Sequence, residues 1–135
     1  MLRTVFVVDT FVASAFGVAL VGAPQFMMQL YGVQSDAGGI FLARLLGAFV
    51  LGQGPLLWWA RDHTASPAGL SIARGHGIID TISTVVCTAA IVNGTMNAMG
   101  WIVVALFVAF GSVRVYYGFF REPALTIPAP AGSVR

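Results

Sequence analysis

The segment "LSIARGHGIIDTISTVVCTAA" places groups that can do chemistry inside an otherwise apolar run. On a helix, steps of three, four and seven residues return to one side, so His76, Asp80, Ser83, Thr84 and Cys87 share a stripe. An imidazole one turn from a carboxylate could relay a proton, or bind a lipid, quinone or pigment through hydrogen bonds from His76, Asp80, Ser83 and Thr84. His76 lies between Gly75 and Gly77, open enough to serve as an axial ligand to a tetrapyrrole. Metal chemistry needs three or more convergent ligands, and only His76, Asp80 and Asp9 suggest themselves, so no metal is expected. The single cysteine, Cys87, excludes an internal disulfide and a cysteine metal cage. No nucleophile completes a catalytic set, and no catalytic residue is assigned.

The elements that hold these residues follow from composition. The chain has 135 residues, 58% of them hydrophobic and 9% charged, with all seven basic residues arginine. That is the composition of a membrane protein. A span needs roughly 20 apolar residues at 1.5 Å each. Four stretches qualify, at about 2–21, 38–60, 67–92 and 97–120, and their short connections predict an all-α, antiparallel four-helix transmembrane bundle. The remainder, 121–135, is a tail rich in proline and alanine, for which composition predicts disorder in isolation. The apolar start and the small residues Val21, Gly22 and Ala23 resemble a secretory signal, but the run is too long and Pro24 would follow the cut.

Arginine placement predicts orientation. Arg3, Arg61, Arg74, Arg114, Arg121 and Arg135 fall at one end of the bundle and Arg44 towards the other, which puts both termini and the 61–66 turn in the cytoplasm of a bacterial inner membrane. The net charge of +2 says little here, and no nucleic-acid partner is expected. Arg74 is expected to snorkel towards phosphates, and His63 to be solvated.

Depth along the spans suggests partners for the intramembrane charges. Counting from the span ends, Arg44 lies roughly 9 Å from one boundary and Asp80 roughly 20 Å from the other, while Asp9 and Arg114 both lie roughly 9 Å from the inner one. Two ion pairs are therefore expected, Arg44 with Asp80 and Asp9 with Arg114, with His76 available to either aspartate. Pro55 should kink or break the second span. Pro24 should open a short interfacial helix, and Trp58 and Trp59 should lie at the membrane boundary. Met27, Met28, Met96 and Met99 read as adaptable packing residues rather than copper ligands.

The stretches "ARLLGAFVLGQGPLLWWA" and "GWIVVALFVAFGSVRVYYGF" resemble the small bacterial four-helix proteins grouped as DoxX-like and, more distantly, Erg28-type scaffold proteins. The resemblance is carried by Arg44 and Gly47 in the second span and by Gly100 and Trp101 opening the last. It implies an accessory or scaffolding role in membrane redox or lipid metabolism. The expected function is thus a non-enzymatic accessory subunit of a larger bioenergetic, redox or photosynthetic membrane complex, with lipid and other membrane subunits or further copies of the chain as partners. Gly47, Gly54, Gly111 and Gly118 are the expected contact points. The alternative is a protein that binds or transports a lipid, quinone or pigment along the His76 and Asp80 stripe. No cofactor is predicted under the first reading.

Overall fold

The computed structural model describes residues 1–120, and the expectations for the tail fall outside them. The chain is helical throughout its elements: α1 (Leu2–Gly22), α2 (Pro24–Leu30), α3 (Ala37–Ala60), α4 (Pro67–Val92) and α5 (Gly100–Val115), with α5 continuing into a π-helical segment, Tyr116–Phe120. Leu2–Gly22, Ala37–Ala60, Pro67–Val92 and Gly100–Phe120 are each long and apolar enough to cross a membrane.

The boundaries have local causes. Pro24 occupies the start of α2, where a missing N–H is harmless. The Asp36 carboxylate accepts the Gly39 N–H at 2.8 Å and caps α3. The Ser66 hydroxyl does the same for α4, accepting from Gly69 at 3.1 Å. The last span begins at Gly100 rather than at 97 because Asn97 is committed to a turn. Its Oδ1 accepts the Met99 N–H at 2.9 Å, and its Nδ2 donates to the Leu30 carbonyl at 3.0 Å. The Asn97 N–H also donates to the Tyr31 carbonyl at 2.8 Å, tying this turn to the end of α2.

Pro55 does not break α3, which is helical on both sides of it. Thr10 of α1 lies beside it. Its hydroxyl bonds the Phe6 carbonyl at 2.8 Å and reaches the Gly54 carbonyl at 3.3 Å, adding an interhelical contact beside the proline.

Helix pairing is set by glycine. A Cβ on Gly17 would lie 2.6 Å from the Leu51 nitrogen, and one on Gly47 would lie 2.7 Å from the Leu20 Cβ, so α1 and α3 meet backbone to backbone. Gly54 is likewise closed by Ser14. On the other side, Gly111 faces Asp80, Gly77 faces Val115 and Gly118 faces Arg74, which joins α5 and its π-helical end to α4. In both pairs the contacts run in opposite directions along the two helices. Such close approach matters in lipid, where burying apolar surface between helices brings little transfer energy and packing must supply the attraction. It also corrects the expectation for Gly47, Gly54, Gly111 and Gly118: all four are used within the chain.

The backbones of α1 and α3, and of α4 and α5, run close together over much of their length, whereas those of α3 and α4, though consecutive, approach at few points. The two pairs meet most tightly around Leu2, Phe6, Leu57, Ala60 and Ala73, with Ile72, Val113 and Tyr117 packed against them. Large apolar side chains such as Phe11, Phe41, Leu46, Phe49, Val85 and Ile102 cover the outward surface.

Candidate functional site

Arg114 is the organising residue of the interior. It is 1% exposed, and its guanidinium grips two carboxylates from different helices. Nη1 donates to Asp80 Oδ2 of α4 at 2.6 Å, and Nη2 donates to Asp9 Oδ2 of α1. The fork of an arginine suits this task, because its donors diverge in a fixed plane and its charge survives burial. Phe110, one turn earlier, offers its ring to the same cation at 5.6 Å.

The glycines place the pair. Gly111 has no side chain to separate α5 from Asp80, so the two helices approach until the Arg114 head lies level with the carboxylate. Asp9 arrives from α1, one residue before Thr10 and its contact with Gly54. The Asp9–Arg114–Asp80 bridge therefore links α1, α4 and α5, and Thr10 links α1 onwards to α3.

The expected pairing of Asp9 with Arg114 is present. The expected pairing of Arg44 with Asp80 is not. Arg44 is exposed and, among the described residues, makes no ion pair. The cause is register. Gly47 lies against Leu20 and Val21, so Arg44, three residues earlier, is level with the break between α1 and α2 near the end of the apolar layer. Asp80, by contrast, faces Gly111, because α4 starts well beyond the level of Phe120. Counting depth from each helix end assumed aligned ends, and the offset made Arg44 and Asp80 appear level.

His76 is 7% exposed and bonds neither aspartate. Its Nδ1 pairs with the Ile72 carbonyl at 3.1 Å, and its buried Nε2 has no hydrogen-bond partner. The Nε nitrogen of Arg114 is likewise unpartnered. Farther along the stripe, Ser83, Thr84 and Cys87 are half-buried, and the Thr84 hydroxyl turns back to the Asp80 carbonyl at 2.8 Å. The stripe predicted from the sequence is real as a helix face, but only His76 and Asp80 join the buried cluster. Among the described residues, no group of three or more histidine, cysteine or acidic side chains could hold a metal ion.

Around this centre the other arginines are peripheral. Arg74 is exposed, and its Nε donates to the Gly118 carbonyl at 2.5 Å, steadying the π-helical end of α5. Arg3 bonds Asp62 at 3.0 Å, and Arg61 lies 3.7 Å from the Trp58 ring centre. His63 is exposed.

Two clefts lie away from the cluster. One, of about 490 Å³, is formed by α2 and the segment leading to α3, including Gln25, Met28 and Ile40. The other, of about 330 Å³, opens beside Pro55 between Thr10, Phe11, Ser14, Trp58 and Trp59. Sequence reasoning missed the double role of Arg114 and the Thr10 contact. The signal for the first was available, since Arg114 is an arginine within an apolar span with Gly111 three residues before it.

Compared with protein-family models, with curated proteins and with solved structures, the chain matches none.

Proposed function

We propose that this protein is a non-enzymatic accessory subunit of a larger complex in a bacterial inner membrane, folded as an antiparallel four-helix bundle with both termini cytoplasmic. The observation that carries the reading is the closure of the charged cluster. Arg114, Asp80 and His76 are all at least nine-tenths buried, and Arg114 is committed to two carboxylates that join three helices. Charges arranged in this way fix which helices pair and in what register. The outward surface is apolar and aromatic, suited to lipid and to other membrane subunits. The likeness of the α3 and α5 sequences to DoxX-like proteins points the same way, and arginines at 3, 61, 74 and 114 support the orientation.

Extraction of native membranes in mild detergent, followed by sizing and identification of copurifying chains, tests this. A stable assembly containing other membrane proteins is expected. A protein that is monomeric under every gentle condition would falsify the reading. Reporter fusions near Asn93 and at the C-terminus check orientation, with a periplasm-only reporter expected to be active at the first and silent at the second.

A second reading, binding of a lipid or quinone, is favoured by the cleft beside Pro55 rather than by the stripe first suggested. There Phe11, Trp58 and Trp59 line, with Thr10, Ser14 and Pro55, an apolar space of about 330 Å³.

A further inference from the structure

Asp36, Ile40 and Arg44 fall four residues apart at the start of α3, so they stack along one face of that helix. The middle one, Ile40, lines the cleft of about 490 Å³ that α2 and the segment 32–35 form with α3. The two flanking residues are charged and exposed, and among the described residues neither enters an ion pair. They do not pair with each other, because eight residues of helix place their backbones about 12 Å apart. Asp36 gives Oδ1 to the Gly39 N–H, which leaves Oδ2 as a further acceptor. Side chains on a helix lean towards its N-terminus, so the Arg44 guanidinium is directed back towards Ile40. Between the two charges the cleft offers Gln25, Gln29 and Gln34, exposed carboxamides that bond no other protein group among the described residues. An amide both accepts and donates, and so suits an ammonium and a phosphate alike. Depth gives the charges an order. Gly47 lies against Leu20 and Val21, so Arg44 is level with the α1–α2 break, where the apolar layer ends, and Asp36 lies farther out. The surface around Arg44 is apolar, with Phe41, Leu42 and Leu45 exposed.

We infer that this end of α3 binds the head group of a zwitterionic phospholipid with a primary amine, its phosphate on Arg44 and its ammonium between the glutamines and Asp36. In a bilayer the phosphate lies next to the acyl chains and the amine beyond it, which is the order of cation and anion along α3. A head group with a net negative charge meets Arg44 equally well but sets nothing positive against Asp36. A quaternary amine has no N–H to donate to a carboxylate or an amide oxygen. The site lies at the opposite end of α3 from the cleft beside Pro55, and it depends neither on that cleft nor on an accessory role.

The full chain is reconstituted in a bilayer of equal parts phosphatidylethanolamine, phosphatidylglycerol and phosphatidylcholine, extracted in mild detergent, and its retained lipids are counted by native mass spectrometry. Phosphatidylethanolamine should be enriched over either competitor by about two- to fivefold, the range expected of exposed ion pairs. Arg44→Gln should abolish the enrichment. Asp36→Asn keeps the helix cap, since asparagine caps as well as aspartate, and should bring phosphatidylethanolamine level with phosphatidylcholine. Arg3→Gln removes an arginine bonded to Asp62 at the other end of the bundle and should leave the enrichment in place. Retention in proportion to the bilayer composition overturns the site. So does a preference for phosphatidylglycerol, which would make Arg44 an anchor for anions alone. Loss of self-association in Arg44→Gln with lipid retention unchanged also overturns it, and assigns Arg44 to a contact with a second copy of the chain. If a variant does not fold, the lipids retained by the unsubstituted chain still decide between enrichment, proportional retention and a preference for the anionic lipid.

Discussion

Between Pro67 and Asp80, α4 buries Gly69, Leu70, Ala73, His76, Gly77 and Asp80, whereas between Thr81 and Val92 it fully buries no residue. The helix face is the same in both halves. What changes is the company. Beside the first half α1, α3 and the end of α5 converge through Phe6, Leu57, Ala60 and Val113. Beside the second half α5 remains close, with Gly100 against Ile91, and the far end is tied by a backbone bond from Asn97 to Tyr31. One half holds its neighbours by charge and close packing, the other by capping at the loops. In lipid this division has a physical basis. Packing and polar contacts must supply most of the attraction between helices, so rigidity should follow the residues that provide them.

The largest test of this difference is Arg114→Leu. It leaves the buried Asp80 and the part-buried Asp9 without their shared cation, and removing one partner of a buried ion pair typically costs about 3–5 kcal/mol. Thermal unfolding in detergent should show a loss of that order. Asp80→Asn should cost less, because an amide oxygen can still accept from Arg114 and Asp9 remains. A loss below about 1 kcal/mol for Arg114→Leu would mean that the charged half is not the anchor.

Next come the close approaches. Gly17→Ala would put a methyl 2.6 Å from the Leu51 nitrogen, and Gly111→Ala would put one 2.9 Å from the Asp80 Cβ. Either requires helices to move apart, at a cost of about 1–3 kcal/mol. Gly75→Ala is the control, because nothing lies within 4 Å of that position. Its better helix propensity should make it neutral or slightly stabilising, by about 0.4–1 kcal/mol. Equal losses at Gly75 and Gly111 would show that glycine acts here through the helix itself and not through contact.

How much of this was legible in the sequence depends on the scale of the question. The spans, the short helix after Pro24 and the His76–Asp80 stripe follow from periodicity and composition, which are local. The Asp9–Arg114 pair was also legible, since both residues lie close to one end. The Asp80 partner was not, because it depends on how far α4 slides past α5. That slide is fixed by Gly77, Gly111 and Gly118 meeting Val115, Asp80 and Arg74, contacts that no spacing within one helix reveals. The role of the glycines was misread for a related reason. A small residue signals that a backbone can approach, and does not say whether that backbone belongs to the same chain.

At the loop end the expected effects are smaller. Asn97→Ala removes its side-chain bonds to the Leu30 carbonyl and the Met99 N–H, but the backbone bond to Tyr31 survives. Hydrogen bonds of this exposed kind contribute about 0.5–1.5 kcal/mol each at most. The observable is local. Amide exchange should accelerate in the turn near 97–99 and at the end of α2, with little change around Ala73 or Arg114. Exchange that quickens equally at both ends would mean that the two halves unfold as one unit, contrary to the comparison.

The smallest effects are expected on the outer part of the stripe itself. Ser83 and Cys87 share a helix face with His76 and Asp80, so a reading by periodicity alone makes all four equivalent. They differ in depth of enclosure: Ser83 and Cys87 are half-buried, and the cluster bonds neither of them. Ser83→Ala and Cys87→Ala should therefore each change stability by no more than about 0.5 kcal/mol, the range of substitutions that remove no buried partner. Thr84→Ala is expected to behave similarly, because its hydroxyl bonds a carbonyl of its own helix, Asp80, and joins no second helix. Unfolding curves of the three variants, measured beside Asp80→Asn, give the profile along one helix face. A steep fall after Asp80 supports a boundary set by neighbouring helices. A loss at Ser83 or Cys87 as large as that at Asp80 would extend the enclosed region outwards and join the two halves of α4 into one site.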